Sequence, residues 1–238
     1  SKAKDSAFSV NYEFQSAETE IFFTFAFQIE EYGSTSGKTD MDLVQESVDL
    51  PVCIQYIGGN GYKFVPVYYT PLMFIRMYEQ HQDGKKMKLD HNVGSYIQDR
   101  PAFGSSGHSV GDNLFMEHNG FDVEQIQKAR AEAEKGKRVR GASTISQQTA
   151  KMISLAGESY LRKGIEVYFT FLIEWIWGKE RIMEVYLNSI EMGEGIYGAE
   201  AVAEAHFGKH AYQLTKKEAA LIAATLPNPR KFNSAKPS

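Results

Sequence analysis

Two short segments hold the residues most able to do chemistry. Gly141-Ala-Ser-Thr-Ile-Ser-Gln-Gln-Thr-Ala-Lys151 gathers hydroxyls and amides ahead of a lysine. Arg162-Lys163-Gly-Ile-Glu166 puts two cations and a carboxylate on adjacent turns of a helix. Thr144-x-x-Gln147 has the spacing of a capping box, which predicts a helix starting near Thr144. Its first turn would present backbone N–H groups and the hydroxyls of Ser143, Thr144 and Ser146, a setting that suits an anion. Lys151 comes two turns in, near the face of Thr144 and Gln148. On the second helix Arg162 and Glu166 are four apart and face the same way. Arg before Glu is the less favourable order for a helix pair, so stability alone is a weak reason for it. Spacing alone leaves two readings open, an anion site or a capped helix with solvated charges.

The rest of the chain must position these segments. Residues 1–68 read as β-rich. Phe8, Val10, Tyr12 and Phe14 alternate with polar residues, and Phe23, Phe25, Phe27 and Ile29 repeat the pattern. Val52 to Ile57 is a third candidate strand, and Gly58-Gly-Asn-Gly61 predicts a hairpin turn into Tyr62 to Tyr68. From Pro71 the texture is helical. Leu72 to His81 predicts a helix, followed by a basic cluster at Lys85, Lys86 and Lys88 that reads as a solvated turn. Residues 93–111 are Gly- and Ser-rich and predict an irregular loop. Asp122 can cap a helix to about Glu134, with Gly136 at its end. The basic run Lys135, Lys137, Arg138 and Arg140 is either a solvated loop or a source of charge for a phosphate or lipid head groups.

Ile165, Phe169, Leu172, Ile173 and Ile176 have core spacing on a helix from about Leu161 to Trp177. Trp175 and Trp177 read as packing, or as an aromatic pair at a membrane surface. A helix over Lys179 to Asn188 follows. Gly193, Gly195 and Gly198 predict a flexible turn, then comes an Ala-rich helix to about Phe207. Thr215-x-x-Glu218 is a second capping box, opening a helix through Leu226 that Pro227 and Pro229 stop.

Composition narrows the classes. The chain has 238 residues, 42% hydrophobic and 24% charged, ordinary for a globular protein. A net charge of −4 gives no whole-chain field for nucleic acid. The single cysteine, Cys53, excludes an intramolecular disulfide, and no zinc-type spacing appears. No run is long and apolar enough to span a bilayer, and Ser1-Lys-Ala-Lys-Asp-Ser leads into no signal-peptide core. The expectation is a soluble chain, or one whose membrane anchor is absent from this sequence.

In ordered blocks, residues 112–234 resemble the peptidoglycan glycosyltransferases of glycosyltransferase family 51, above all the monofunctional biosynthetic transglycosylases. Gly141-Ala-Ser-Thr-Ile-Ser-Gln-Gln-x-x-Lys151 is similar to the family's second motif, and Arg162-Lys163-x-x-Glu166 to its third. Glu184-x-Tyr186-Leu187-Asn188, with Gly193 and Gly198, resembles the fourth. Leu214-Thr215-x-x-Glu218, then Leu226-Pro227 and Phe232-Asn233, resembles the closing block.

The resemblance implies a mainly α, lysozyme-like glycosyltransferase domain over residues 69–238, preceded by the β-rich segment 1–68 of unassigned role. It implies a place at the cell membrane, on its periplasmic or outer face. The substrate would be lipid II, extended into a β-1,4 glycan strand with inversion. Partners would be lipid II, the growing strand and the membrane surface, with no nucleic acid. No cofactor is required, with room for a divalent cation at the diphosphate. By position, Lys151, Arg162 and Lys163 would steady the departing diphosphate. Ser143, Thr144, Gln147 and Gln148 would line the donor site together with Asn188. Glu166 would be the family's second carboxylate.

The first motif departs from the family. Its opening Glu-Asp-x-x-Phe is matched by Gly111-Asp112-Asn-Leu-Phe115, so the expected general base is a glycine. Asp112 is the nearest carboxylate. Met152 stands where an Asn is usual, and residues 93–111 do not read like the family. Three readings follow: an enzyme with impaired turnover, an inactive homologue that keeps the diphosphate-lipid site, or a structural helical domain. A lysozyme-like hydrolase would need a paired acid and second carboxylate across the sugar, and of the two only Glu166 is placed.

Overall fold

The computed structural model describes residues 61–64, 66–94, 115–136, 143–153 and 160–236, all within one compact unit, Leu50–Ser238. Helices dominate: α1 (Gly61–Phe64), α2 (Pro71–Gln82), α3 (Val123–Glu134), α4 (Ile145–Ile153), α5 (Tyr160–Ile176), α6 (Lys179–Ser189), α7 (Ala199–Phe207) and α8 (Lys216–Thr225). Three short strands, β1 (Asp90–His91), β2 (Glu191–Gly193) and β3 (Ile196–Tyr197), form one small sheet in the order β1-β3-β2. The expectation of a mainly α domain holds for the described residues.

Local chemistry sets the helix ends. Pro71 opens α2, where its missing N–H is no loss. Asp122 caps α3 by accepting from the Gln125 N–H at 2.8 Å. Thr215 and Glu218 cap α8 reciprocally, Glu218 N–H to Thr215 Oγ1 at 3.2 Å and Thr215 N–H to Glu218 Oε2 at 2.8 Å.

The short helix α4 is the centre of the packing. Ile145, Ser146, Gln147, Thr149, Ala150, Met152 and Ile153 are all buried, and α5, α6 and α2 pack against it. Burying one such isoleucine contributes roughly 2 kcal/mol. Only Gln148 and Lys151 escape full burial, so the helix has a single open edge. From α5 come Phe169 and Ile173, both fully buried, and from α6 come Ile182, Val185 and Tyr186.

The sheet ties the chain before α3 to the chain after α6. β1 runs parallel to β3, pairing Asp90 with Ile196 and His91 with Tyr197. β2 runs antiparallel to β3. Gly195 turns this hairpin at φ +69°, and a Cβ there would sit 2.5 Å from the Lys88 carbonyl oxygen. Only glycine allows that approach.

Three expectations change. The strand over Tyr62 to Tyr68 is instead the single-turn α1 followed by unpaired chain from Pro66. Pro66 has no N–H for a ladder, and Phe64 is 70% exposed rather than facing a core. The flexible turn expected at Gly193 to Gly198 is a hairpin held by β1. The two tryptophans part company: Trp177 is buried, whereas Trp175 is 81% exposed. The other candidate strands of residues 1–57, and the loop at 95–111, lie outside the described residues.

Candidate functional site

The capping box at the start of α4 forms as its spacing predicts. Thr144 N–H donates to Gln147 Oε1 at 3.0 Å, and Gln147 N–H donates to Thr144 Oγ1 at 3.2 Å. Both side chains are buried. The Thr144 hydroxyl also donates to the Gly120 carbonyl at 2.6 Å. Gly120 has φ +84°, and a Cβ there would meet Thr170 Cγ2 at 2.9 Å. The chain after the first motif is therefore pressed against α5 and tied to the start of α4 in the same place.

This arrangement redistributes the donors read from the sequence. Thr144 and Gln147 shape the helix start, and the buried Ser146 hydroxyl donates to Glu174. Ser143 and Lys151 are exposed and Gln148 is half-buried. Gln148 Nε2 donates to the Ser143 carbonyl at 3.2 Å, and the Tyr186 hydroxyl donates to Gln148 Oε1 at 3.4 Å. Tyr186 itself is fully buried, so the amide is oriented by the core beneath it. Ser143, Gln148 and Lys151 thus make a polar edge with a fixed amide and a cation.

On α5, Glu166 is buried and its carboxylate takes the Lys163 ammonium one turn earlier. Lys163 is more than half exposed, so the pair sits at the protein–water boundary. The Thr170 hydroxyl donates to the Glu166 carbonyl at 2.7 Å, holding that turn. Arg162 lies on α5, but its side chain, like Gly111 and Asp112, falls outside the described residues.

Asn188 makes its hydrogen bonds elsewhere. Its side chain accepts from the Gly94 N–H at 3.0 Å and donates to the Glu184 carbonyl at 3.0 Å. His91 Nε2–H donates to the Asn188 carbonyl at 2.8 Å. Burial pushes the His91 pKa below its ordinary value, outweighing that hydrogen bond. Asn188 thus anchors β1 and Gly94, from which the chain leads into the loop before the first motif.

Sequence reasoning missed one polar centre. The nearly buried Glu174 carboxylate takes the Lys179 ammonium at 2.6 Å and the Ser146 hydroxyl on the same oxygen. The Lys179 ammonium lies 4.5 Å from the centroid of the Phe115 ring, and Phe115 is buried. First motif, second motif and α6 therefore meet at Glu174. One signal was available: Glu174 falls two turns after Glu166 and one after Thr170, on the core side of an otherwise apolar run. Among the described residues, the one His/carboxylate group compact enough to share a cation is Glu200, Glu204 and His210, on α7 and the turn after it rather than on α4 or α5.

These features define a helical domain built around one short helix whose sole open edge is polar and cationic, with a carboxylate–lysine pair on the neighbouring helix. Residues 100–238 match the family described as Transglycosylase. The chain is 58% identical over 178 residues to a biosynthetic peptidoglycan transglycosylase of Bacteroides thetaiotaomicron, covering 74% of this chain and 72% of that one. It is 50% identical over 177 residues to the protein of that name from Caulobacter vibrioides, covering 74% and 75%. The corresponding protein of Pseudomonas fluorescens is 45% identical over 177 residues, covering 74% of each chain. The chain belongs to the transglycosylase family, the peptidoglycan glycosyltransferases of glycosyltransferase family 51.

Proposed function

We propose that this chain is a peptidoglycan glycosyltransferase that binds lipid II along the open edge of α4 and extends it into a β-1,4 glycan strand with reduced turnover. The observation that carries the reading is that edge, because a helix buried on every other side keeps only Gln148 and Lys151 for solvent. The acceptor 4-hydroxyl attacks the donor sugar carbon as the bond to the diphosphate breaks, and the hydroxyl proton passes to a base. The diphosphate departs with growing negative charge. Lys151, Arg162 and Lys163 supply fixed positive charge where it grows. Ser143 and Gln148 offer polar contacts to the donor. Thr144, Gln147 and Asn188 act by holding the backbone around it, since their side chains are buried as well as hydrogen-bonded within the protein. Glu166 keeps Lys163 in place. A divalent cation, if used, arrives on the diphosphate.

The reduced turnover rests on Gly111, which occupies the position of the family's general base and has no group to take the proton. Loss of general-base help costs about a hundred- to ten-thousand-fold in rate. Asp112, next in the chain, is the candidate substitute. The same glycine favours a second reading, a homologue that binds lipid II without polymerising it.

Residues 69–238 form the lysozyme-like glycosyltransferase domain in this account, acting at the periplasmic or outer face of the cell membrane. No helix among the described residues is long and apolar enough to cross a membrane. An exposed apolar face on α5, with Phe171 at 68% and Trp175 at 81% exposure, supports contact with a lipid surface.

Polymerisation of lipid II by the wild-type chain and by Gly111→Glu tests the reading. Slow wild-type synthesis that rises about a hundredfold or more in the variant is expected. No synthesis without the variant and clear synthesis with it assigns the binder reading. Equal rates would show that another base serves and that turnover is not impaired at this position.

A further inference from the structure

The basic cluster at Lys85, Lys86 and Lys88 is solvent-exposed and stands at the rim of a cavity. It lines an open cavity of about 480 Å³ that is also bordered by the β2–β3 hairpin and by residues 229–233 after α8. No residue of α4 or α5 lines it, so it is separate from the edge described above. Lys85, Lys86, Lys88, Arg230 and Lys231 face one lining carboxylate, Glu194.

Part of that positive charge is already answered. Lys85 pairs with Glu194 at 2.9 Å and Lys88 with Asp90 at 3.2 Å. Arg230 reaches Glu191 at 3.2 Å and Glu79 at 3.4 Å. Lys86 and Lys231 have no carboxylate within 4.0 Å among the described residues. Lys231 instead lies over the Phe232 ring at 5.9 Å.

Gln80 forms the floor beside these lysines. Gln80 is 6% exposed and lines the cavity. Its Oε1 accepts from the Lys88 N–H at 2.7 Å, which fixes the orientation of the amide. Its buried Nε2 has no acceptor among the described residues. Two uncompensated ammonium groups among five cations, with one lining carboxylate against them, call for a ligand with several anionic oxygens. Phosphate geometry meets that need, and lysine is a common phosphate partner as a point charge.

We propose that this cavity binds a phosphate or diphosphate group through Lys86 and Lys231, as a second anion site apart from α4. The group reaches it either as a free anion or as the headgroup of an anionic lipid. The shared chemistry is the same, and the two sources give different results below.

The test uses the full chain carrying Lys151→Ala, which weakens anion attraction at the α4 edge. Inorganic pyrophosphate is titrated by calorimetry. In parallel, co-sedimentation is measured with phosphatidylcholine vesicles with and without phosphatidylglycerol. Binding of at least one probe is expected, and adding Lys86→Ala with Lys231→Ala should weaken it about tenfold or more, with binding also falling as salt rises. Both lysines are surface residues, and circular dichroism checks that the fold is kept. Gln80→Glu, which retains the acceptor for Lys88 N–H but replaces the donor with a negative oxygen, should give a similar loss. A pyrophosphate response assigns the free anion. A response only to phosphatidylglycerol vesicles assigns the headgroup. Failure of both probes to bind, or binding indifferent to the lysine pair, would overturn the site.

Discussion

His91 donates to the Asn188 carbonyl while Asn188 holds Gly94 and the end of α6, so one histidine and one asparagine connect chain segments far apart in sequence. Burial keeps the His91 ring neutral, with its pKa below the ordinary 6.5. The unfolded chain takes the proton first as pH falls. The contribution of His91 is therefore complete above about pH 6.5 and is lost below it, at up to about 1.4 kcal/mol per pH unit. The exposed His210, raised by its hydrogen bond to Glu200, pulls the other way, so the comparison must isolate His91. Urea denaturation at pH 7.5 and pH 5.5 should show a smaller loss on acidification for His91→Gln than for the wild-type chain. An identical loss in the two would remove His91 as the source. The sequence showed Asn188 as a motif residue but not its use. Its partners Gly94 and His91 lie more than ninety residues away, and no local pattern reports them.

Caps were the most legible elements because their hydrogen bonds close within three residues. Thr144 with Gln147, Asp122 with Gln125, and Thr215 with Glu218 all formed as their spacing required. Side chains that look outward in a sequence were harder. Lys163 closes on Glu166, because the i,i+3 spacing is as reachable on a helix as the i,i+4 spacing that drew attention to Arg162. Glu174 could be noticed as a carboxylate on the core side of its helix, but not as a junction, since Ser146 lies 28 residues before it. Its role makes a prediction for the element it holds. Glu174→Ala would leave the mostly buried Lys179 ammonium without a carboxylate and Ser146 without its acceptor. A loss of about 3 kcal/mol in unfolding free energy is expected. Adding Lys179→Met should recover part of it, as coupled partners do. A loss under about 0.5 kcal/mol, the scale of a solvated pair, would show that the junction carries no stability.

At the scale of the whole molecule, the helical class and the order of the motifs were legible, because helix periodicity and caps are local. The sheet was not, since its strands are two or three residues long and β1 pairs with β3 across about a hundred residues. The basic turn at residues 85–88 is solvated as read, but the cavity beside it was not legible for a similar reason: it forms only when residues 229–233 arrive from the far end of the chain. Around these parts the fold keeps α4 buried on three sides and open on one. That opening is the central claim, and affinity for lipid II tests it most directly. Binding of lipid II in detergent is compared for the wild-type chain and Lys151→Ala, a substitution at an exposed position of an intact helix. The account predicts an affinity about tenfold weaker or more for the variant, with thermal stability unchanged. Equal affinity in the two proteins would contradict it.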